Sequence, residues 1–165
     1  MIQIDTIRQL LRYSDWANQQ ILRCAAQLSD EQLDRNFDIG RGTLRRTLMH
    51  IHAGEQVWHQ RSRGQSETPW PDEKEPVSVV TLAERFGRTA AERDAFLDGV
   101  RPDELPRTIT YRDSLGGLFV ASLGEMLMQA CLHSMHHRAQ AVNILRRLSA
   151  APPELDYMMH VRKPA

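Results

Sequence analysis

The sequence predicts an all-α fold: a four-helix bundle with one long crossover connection before its last helix. Three observations carry this. Apolar residues recur at three- and four-residue steps through four long blocks. Glycine and proline interrupt the chain between the blocks. A chain of 165 residues can also bury a substantial core without cross-links. The whole chain, 1–165, reads as a single helical-bundle domain, with no internal repeat and no low-complexity tract.

The first block runs from Asp5 to Leu28, where Ile7, Leu10, Leu11, Ala17, Ile21, Cys24, Ala25 and Leu28 form an amphipathic stripe. Ser29 stands three residues before Gln32, a capping-box spacing that starts a short turn through Arg35. Gly40 and Gly42 break the chain, and a second helix spans Thr43 to Arg63, with Gly64 ending it. Pro69, Pro71 and Pro76 make Ser66 to Pro76 a surface loop. Ser78 or Thr81 caps a third helix that stops at Gly99, and Pro102 and Pro106 enforce a connector. Arg107 to Arg112 alternates and is rich in β-branched residues, so with Ser114 to Val120 it predicts a short β-hairpin or extended crossover. The fourth long helix runs from Ser122 to Leu148, with Leu123, Met126, Leu127, Ala130, His133, His137, Ala141, Ile144 and Leu148 facing inward. Pro152 and Pro153 close it, and Glu154 to His160 form a terminal turn.

Composition excludes several functional classes. Lysine plus arginine and aspartate plus glutamate both number 21, so there is no basic excess to displace counterions from a nucleic acid. No apolar stretch approaches the roughly 20 residues that cross a bilayer. Cys24 and Cys131 are the only cysteines, with no Cys-x-x-Cys pair and no apolar N-terminal leader, so a reduced, cytoplasmic protein is expected. No Ser-His-Asp pattern, phosphate-binding glycine loop or dinucleotide fingerprint occurs.

The chemistry lies in the last helix, in Cys131-Leu132-His133-Ser134-Met135-His136-His137-Arg138-Ala139-Gln140. His133 and His137 stand one turn apart, so both imidazoles share a face and can reach one ion. Burying two imidazoles without partners costs a few kcal/mol, and a metal satisfies a nitrogen of each. His136 falls at the edge of that face, at the rim or as a support for the ligands. A third ligand should come from the second helix, which carries His50, His52 and His59. His50 and His52 are about 160° apart on that helix, so only one is expected to look inward. The apolar neighbours Gly54 and Val57 favour His50, whereas His52 shares a side with Arg45, Gln56 and His59. Cys131 lies about 160° from His133 and should not coordinate; both cysteines read as small buried hydrophobes. Glu55 is expected in an ion pair or helix-face contact rather than as a general base. Trp16 and Trp58 read as core or interface aromatics and Trp70 as a lid residue, while Arg138 and Gln140 read as an exposed helix face.

Tyr13-Ser14-Asp15-Trp16-Ala17-Asn18, then Leu48-Met49-His50-Ile51 with Glu55 and Trp58, then His133 to Gln140 together resemble the DinB/YfiT-like family of four-helix-bundle metalloproteins over nearly the whole chain. The resemblance implies that His50, His133 and His137 form a tris-histidine metal site. Ala139 stands where the family usually has glycine between the arginine and the glutamine.

Three neutral imidazoles leave coordination positions for water or substrate, as in a working rather than a closed structural site. Zinc, nickel and iron all suit such donors. An ion held this way lowers the pKa of bound water from 15.7 to about 7 with zinc, or stabilises a thiolate. The resemblance implies a metal-dependent enzyme that transfers a low-molecular-weight thiol to a small electrophile, with metal-bound water or thiolate as nucleophile. A metal-dependent hydrolase is the alternative; a non-catalytic metal- or ligand-binding stress-response protein is the reading from another class. The resemblance also implies a homodimer paired through helix faces.

Overall fold

The computed structural model describes residues 2–72 and 76–164. Helix α1 spans Ile4–Ala25 and buries Ile7, Leu11, Ala17, Ile21 and Leu22, with the polar Ser14 and Asn18 on the same face. It ends before Leu28, because the amides of Gln27 and Leu28 turn back to the carbonyls of Cys24 and Ala25. The short α2, Asp30–Asp34, begins with the expected capping box between Ser29 and Gln32. Arg45 pins it to the next helix: its guanidinium donates to both carboxylate oxygens of Asp34, to Asp30 and to the carbonyl of Val77.

Helix α3, Leu44–Ser62, is capped by the Thr43 hydroxyl and is buried on nearly every side. That explains its weak stripe in the sequence: a helix surrounded by neighbours has no polar face to contrast with its apolar one. Helix α4 covers Val79–Asp98, with Ser78 as its cap and Gly99 at its end. Of the surface loop expected over 66–76, residues 73–75 lie outside the described residues. A 3₁₀ turn at Pro102–Glu104 leads into the antiparallel hairpin of β1, Thr108–Arg112, and β2, Leu118–Ser122, with Thr110 opposite Val120. Helix α5, Leu123–Arg147, starts at a Ser122–Glu125 capping box, and α6, Tyr157–Val161, closes the described chain.

The helix α5 lies against α3 most extensively and also against α1, while α4 packs on both α3 and α1. The ring order is therefore α1–α5–α3–α4, and the passage from α4 to α5 crosses the bundle diagonally through the hairpin. This is the all-α bundle with a long crossover that the sequence predicts.

The core is divided. One apolar cluster joins Ile21, Leu22, Leu48, Ile51, Leu82, Phe86, Ile144 and Leu145. The other joins Ile7, Leu11, Leu97, Ile109, Leu123, Met126 and Leu127 at the hairpin end. Each fully buried leucine or isoleucine contributes roughly 1.5–3 kcal/mol. Between the clusters runs a band of buried polar residues: Ser14 and Asn18 on α1, Glu55 and His59 on α3, Thr89 and Arg93 on α4, Ser134 and Arg138 on α5.

Candidate metal centre

The inward stripe of α5 passes through Ala130, Ser134, Arg138 and Ala141 rather than through the histidines. His133 and His137 sit on its margin, half-buried, facing α3. There His50 meets them, with ring centroids 5.0 Å from His133 and 4.4 Å from His137; the two α5 rings are 4.5 Å apart. One nitrogen from each of His50, His133 and His137 lies within 4.8 Å of the others. Donors of a tetrahedral ion at ~2.1 Å stand about 3.4 Å apart, so small ring rotations suffice to enclose one.

The surroundings suit the neutral, ligating form of imidazole. Burial pushes the pKa of His137 below its ordinary value, its hydrogen bond to Gln140 partly offsets this, and the charges of His50, His136 and Arg41 push it further down. Gln140 Oε1 lies 2.8 Å from His137 Nδ1, and Gln140 Nε2 lies 3.1 Å from His136 Nε2. The amide thus accepts from His137 Nδ1–H and donates to His136, which leaves His137 Nε2 with a lone pair to offer. His136 itself is exposed.

Two glycines make room for this arrangement. Gly54 lies one turn after His50 on the same face of α3, and a Cβ there would stand 2.2 Å from His133 Cε1 and 2.3 Å from its Nδ1. Glycine costs a helix interior roughly 0.5–1 kcal/mol, and here it lets the His133 ring lie against the α3 backbone. Gly40, at φ +49°, faces Gln140, whose Oε1 would be 2.2 Å from a Cβ at that position. Trp70 packs over the cluster, its ring 5.0 Å from that of His50 and 5.8 Å from that of His133.

Other expectations need correction. Arg138 is not on an exposed face: it is 3 % exposed, donates to Ser14 Oγ at 2.7 Å and Asn18 Oδ1 at 3.0 Å, and lies over the Tyr13 ring. Gln140 is half-buried against two histidines. The signal for both was spacing: Arg138 follows Ser134 by four residues on the buried stripe, and Gln140 follows His137 by three. Glu55 makes no ion pair within the described residues; its Oε1 accepts from Asn18 at 2.7 Å, Ser134 at 2.8 Å and Ser14 at 3.3 Å. His50 and His52 do not divide into one inward and one outward residue, since α3 has neighbours on both flanks. His52 faces α4, with Nε2 3.2 Å from Thr89 Oγ1 and its ring on Phe86. His59 packs on Phe96, and among the described residues neither of its ring nitrogens has a hydrogen-bond partner. Burial holds both rings at a pKa of about 4.

Cys131 is buried, with its thiol pushed up to about 12 by that burial, whereas Cys24 is only half-buried. Ala139 is exposed. Trp16 and Trp58 are half-buried; the Arg61 guanidinium lies 5.0 Å from the Trp58 ring and 5.1 Å from the Tyr111 ring, which meet edge-on.

Comparison with known proteins agrees with this architecture. The chain is similar to a DinB-like protein from Bacillus cereus, with 24% identity, TM-score 0.74 and coverage of 93% of this chain and 99% of that one. It is also similar to YfiT from Bacillus subtilis, described as a probable metal-dependent hydrolase with an unusual four-helix bundle topology, with 16% identity, TM-score 0.70 and 92% coverage of each chain. No curated protein matches. The sequence profile of the DinB family matches residues 1–163, and with the bundle already described this places the chain in the DinB family.

Proposed function

We propose that this protein is a metal-dependent enzyme whose divalent transition ion, zinc, nickel or iron, is held by His50, His133 and His137. The observation that carries the reading is the convergence of three imidazoles from two helices within 4.8 Å. Their chemistry fits such an ion: the donors are nitrogen, His137 is held neutral, and its second nitrogen is occupied by Gln140. When bound, an ion with three uncharged ligands supplies an undiminished positive charge that polarises a substrate and favours the anionic form of a water or thiol.

The protein's own residues do the rest. Gln140 fixes the tautomer and orientation of His137, Gly54 admits the His133 ring, and Trp70 presents an apolar face beside the ligands. The specific reaction is transfer of a low-molecular-weight thiol to a small electrophile, a reading supported by the family resemblance and by the absence of ligand charge to compete with a thiolate. Hydrolysis is the second reading, supported by the likeness to YfiT. One domain over the whole chain fits the way all four long helices pack together.

The deciding experiment incubates the metal-loaded protein with electrophiles, with and without a panel of small thiols. Thiol-dependent product that disappears with His137→Ala supports transfer, and thiol-independent hydrolysis with the same dependence supports the second reading. Metal retention without turnover of either kind would leave a binding protein.

A further inference from the structure

The flank of α3 opposite the three-histidine group carries a second polar recess that the metal chemistry does not use. His52 and Thr89 form its floor in the α3–α4 seam, 8% and 7% exposed, with His52 Nε2 3.2 Å from Thr89 Oγ1. Half-buried Gln56 and the exposed Arg85 and Arg88 complete the lining of a pocket of about 230 Å³. A seam that only had to close would be more stable with an apolar pair at 52 and 89, because polar groups lose hydration on burial.

Five arginines of the described residues are engaged by carboxylates, and these two are not among them. Arg45 and Arg93 spread their guanidinium groups over carboxylates, and Arg8, Arg101 and Arg112 pair with acidic side chains as well. Among the described residues Arg85 and Arg88 form no ion pair, although Glu84 and Glu92 stand one turn to either side of Arg88. Among the described residues no carboxylate lines the pocket. Two uncompensated guanidinium groups, a side-chain amide and a hydroxyl around one recess match the charge and the several acceptor oxygens of a tetrahedral oxyanion.

We propose that this recess binds a phosphoryl group, either free phosphate or the phosphate of a small phosphomonoester. Arg85 and Arg88 neutralise its charge from the rim and Gln56 donates from the α3 side. With His52 Nε2–H donating to Thr89 Oγ1, the Thr89 hydroxyl proton is left for the ligand. The site stands apart from the three-histidine group and does not require a metal there.

Calorimetric titration with inorganic phosphate and, separately, with glycerol 3-phosphate tests this. The expected result is saturable binding of one equivalent that persists in His137→Ala and weakens about tenfold or more in the Arg85→Gln/Arg88→Gln double variant, since two charge-assisted contacts are lost. Both substitutions are at exposed positions, so thermal unfolding should be unchanged. A charge-matched Arg146→Gln/Arg147→Gln variant on α5 should bind as the parent does. Equal affinity for both probes identifies the phosphoryl group alone as the ligand; tighter glycerol 3-phosphate binding identifies a phosphomonoester. The proposal is overturned by the absence of saturable binding, by equal affinity in the Arg85/Arg88 variant, by equal loss in the α5 control, or by loss in His137→Ala, which would place the anion at the three-histidine group.

Discussion

On one flank of α3, His50 meets His133 and His137 in a half-buried cluster whose nitrogens converge. On the other flank, His52 and His59 are more deeply buried, held neutral to a pKa of about 4, and converge on nothing of their kind. The helix is the same and so are the side chains. What differs is the neighbour: α5 brings two further imidazoles and an amide that orients one of them, which Gly54 and Gly40 let approach closely, while α4 brings Thr89, Phe86 and Phe96. Burial makes an imidazole neutral, but convergence and an accessible lone pair make it a ligand.

The strongest way to disturb this contrast acts on the polar band between the flanks. Glu55→Leu removes the acceptor shared by Ser14, Asn18 and Ser134 and leaves the buried Arg138 without a nearby opposite charge. We expect a loss of about 3 kcal/mol or more in chemical denaturation, as for other buried charges deprived of a partner. Stability equal to the parent would mean that the band does not hold the bundle together.

Gly54→Ala sharpens the comparison, because it places a methyl group on the His133 ring while improving helix propensity by about 1 kcal/mol. Metal affinity should fall about 100-fold with helicity retained, the upper end of the range for residues that orient ligands. Unchanged affinity would show that His133 can bind from another rotamer. Gln140→Leu should have a smaller effect, about tenfold in metal affinity, through loss of the hydrogen bond to His137 Nδ1.

The α4 flank should respond in stability rather than in metal binding. Because His59 has a folded-state pKa of about 4 against 6.5 when free, the unfolded chain takes up the proton first as pH falls. Its contribution to stability is therefore complete above pH 6.5 and erodes between 6.5 and 4. His59→Leu should remove that part of the acid dependence and raise stability at neutral pH by about 1 kcal/mol, since both ring nitrogens lack partners. Denaturation midpoints measured across this range check both effects; an undiminished acid slope would contradict the assignment.

Much of this was legible in the sequence, and the failures have physical causes. The four long helices, the capping box at Ser29, a cap at Ser78 or Thr81, the start of the last long helix at Ser122 and the hairpin follow from local periodicity and turn chemistry, which depend on near neighbours in the chain. The spacing of His133 and His137 was equally local. Arg138 was misjudged because a buried arginine is rare on composition alone, and only the partners on α1 make it tolerable. Gly40 and Gly54 owe their roles to side chains about 100 and 80 residues away, distances over which sequence spacing carries no geometry. The apolar neighbours on α3 favoured His50, but periodicity could not show that His52 is buried as well, because both flanks of that helix are occupied.

The metal content of purified protein, compared with that of His137→Ala, bears most directly on the role given to the three histidines. Elemental analysis should find about one equivalent of a divalent transition metal in the parent and almost none in the variant, with the helical spectrum of both unchanged. Equal metal in the two proteins, or none in either after growth with zinc, nickel and iron supplied, would contradict it.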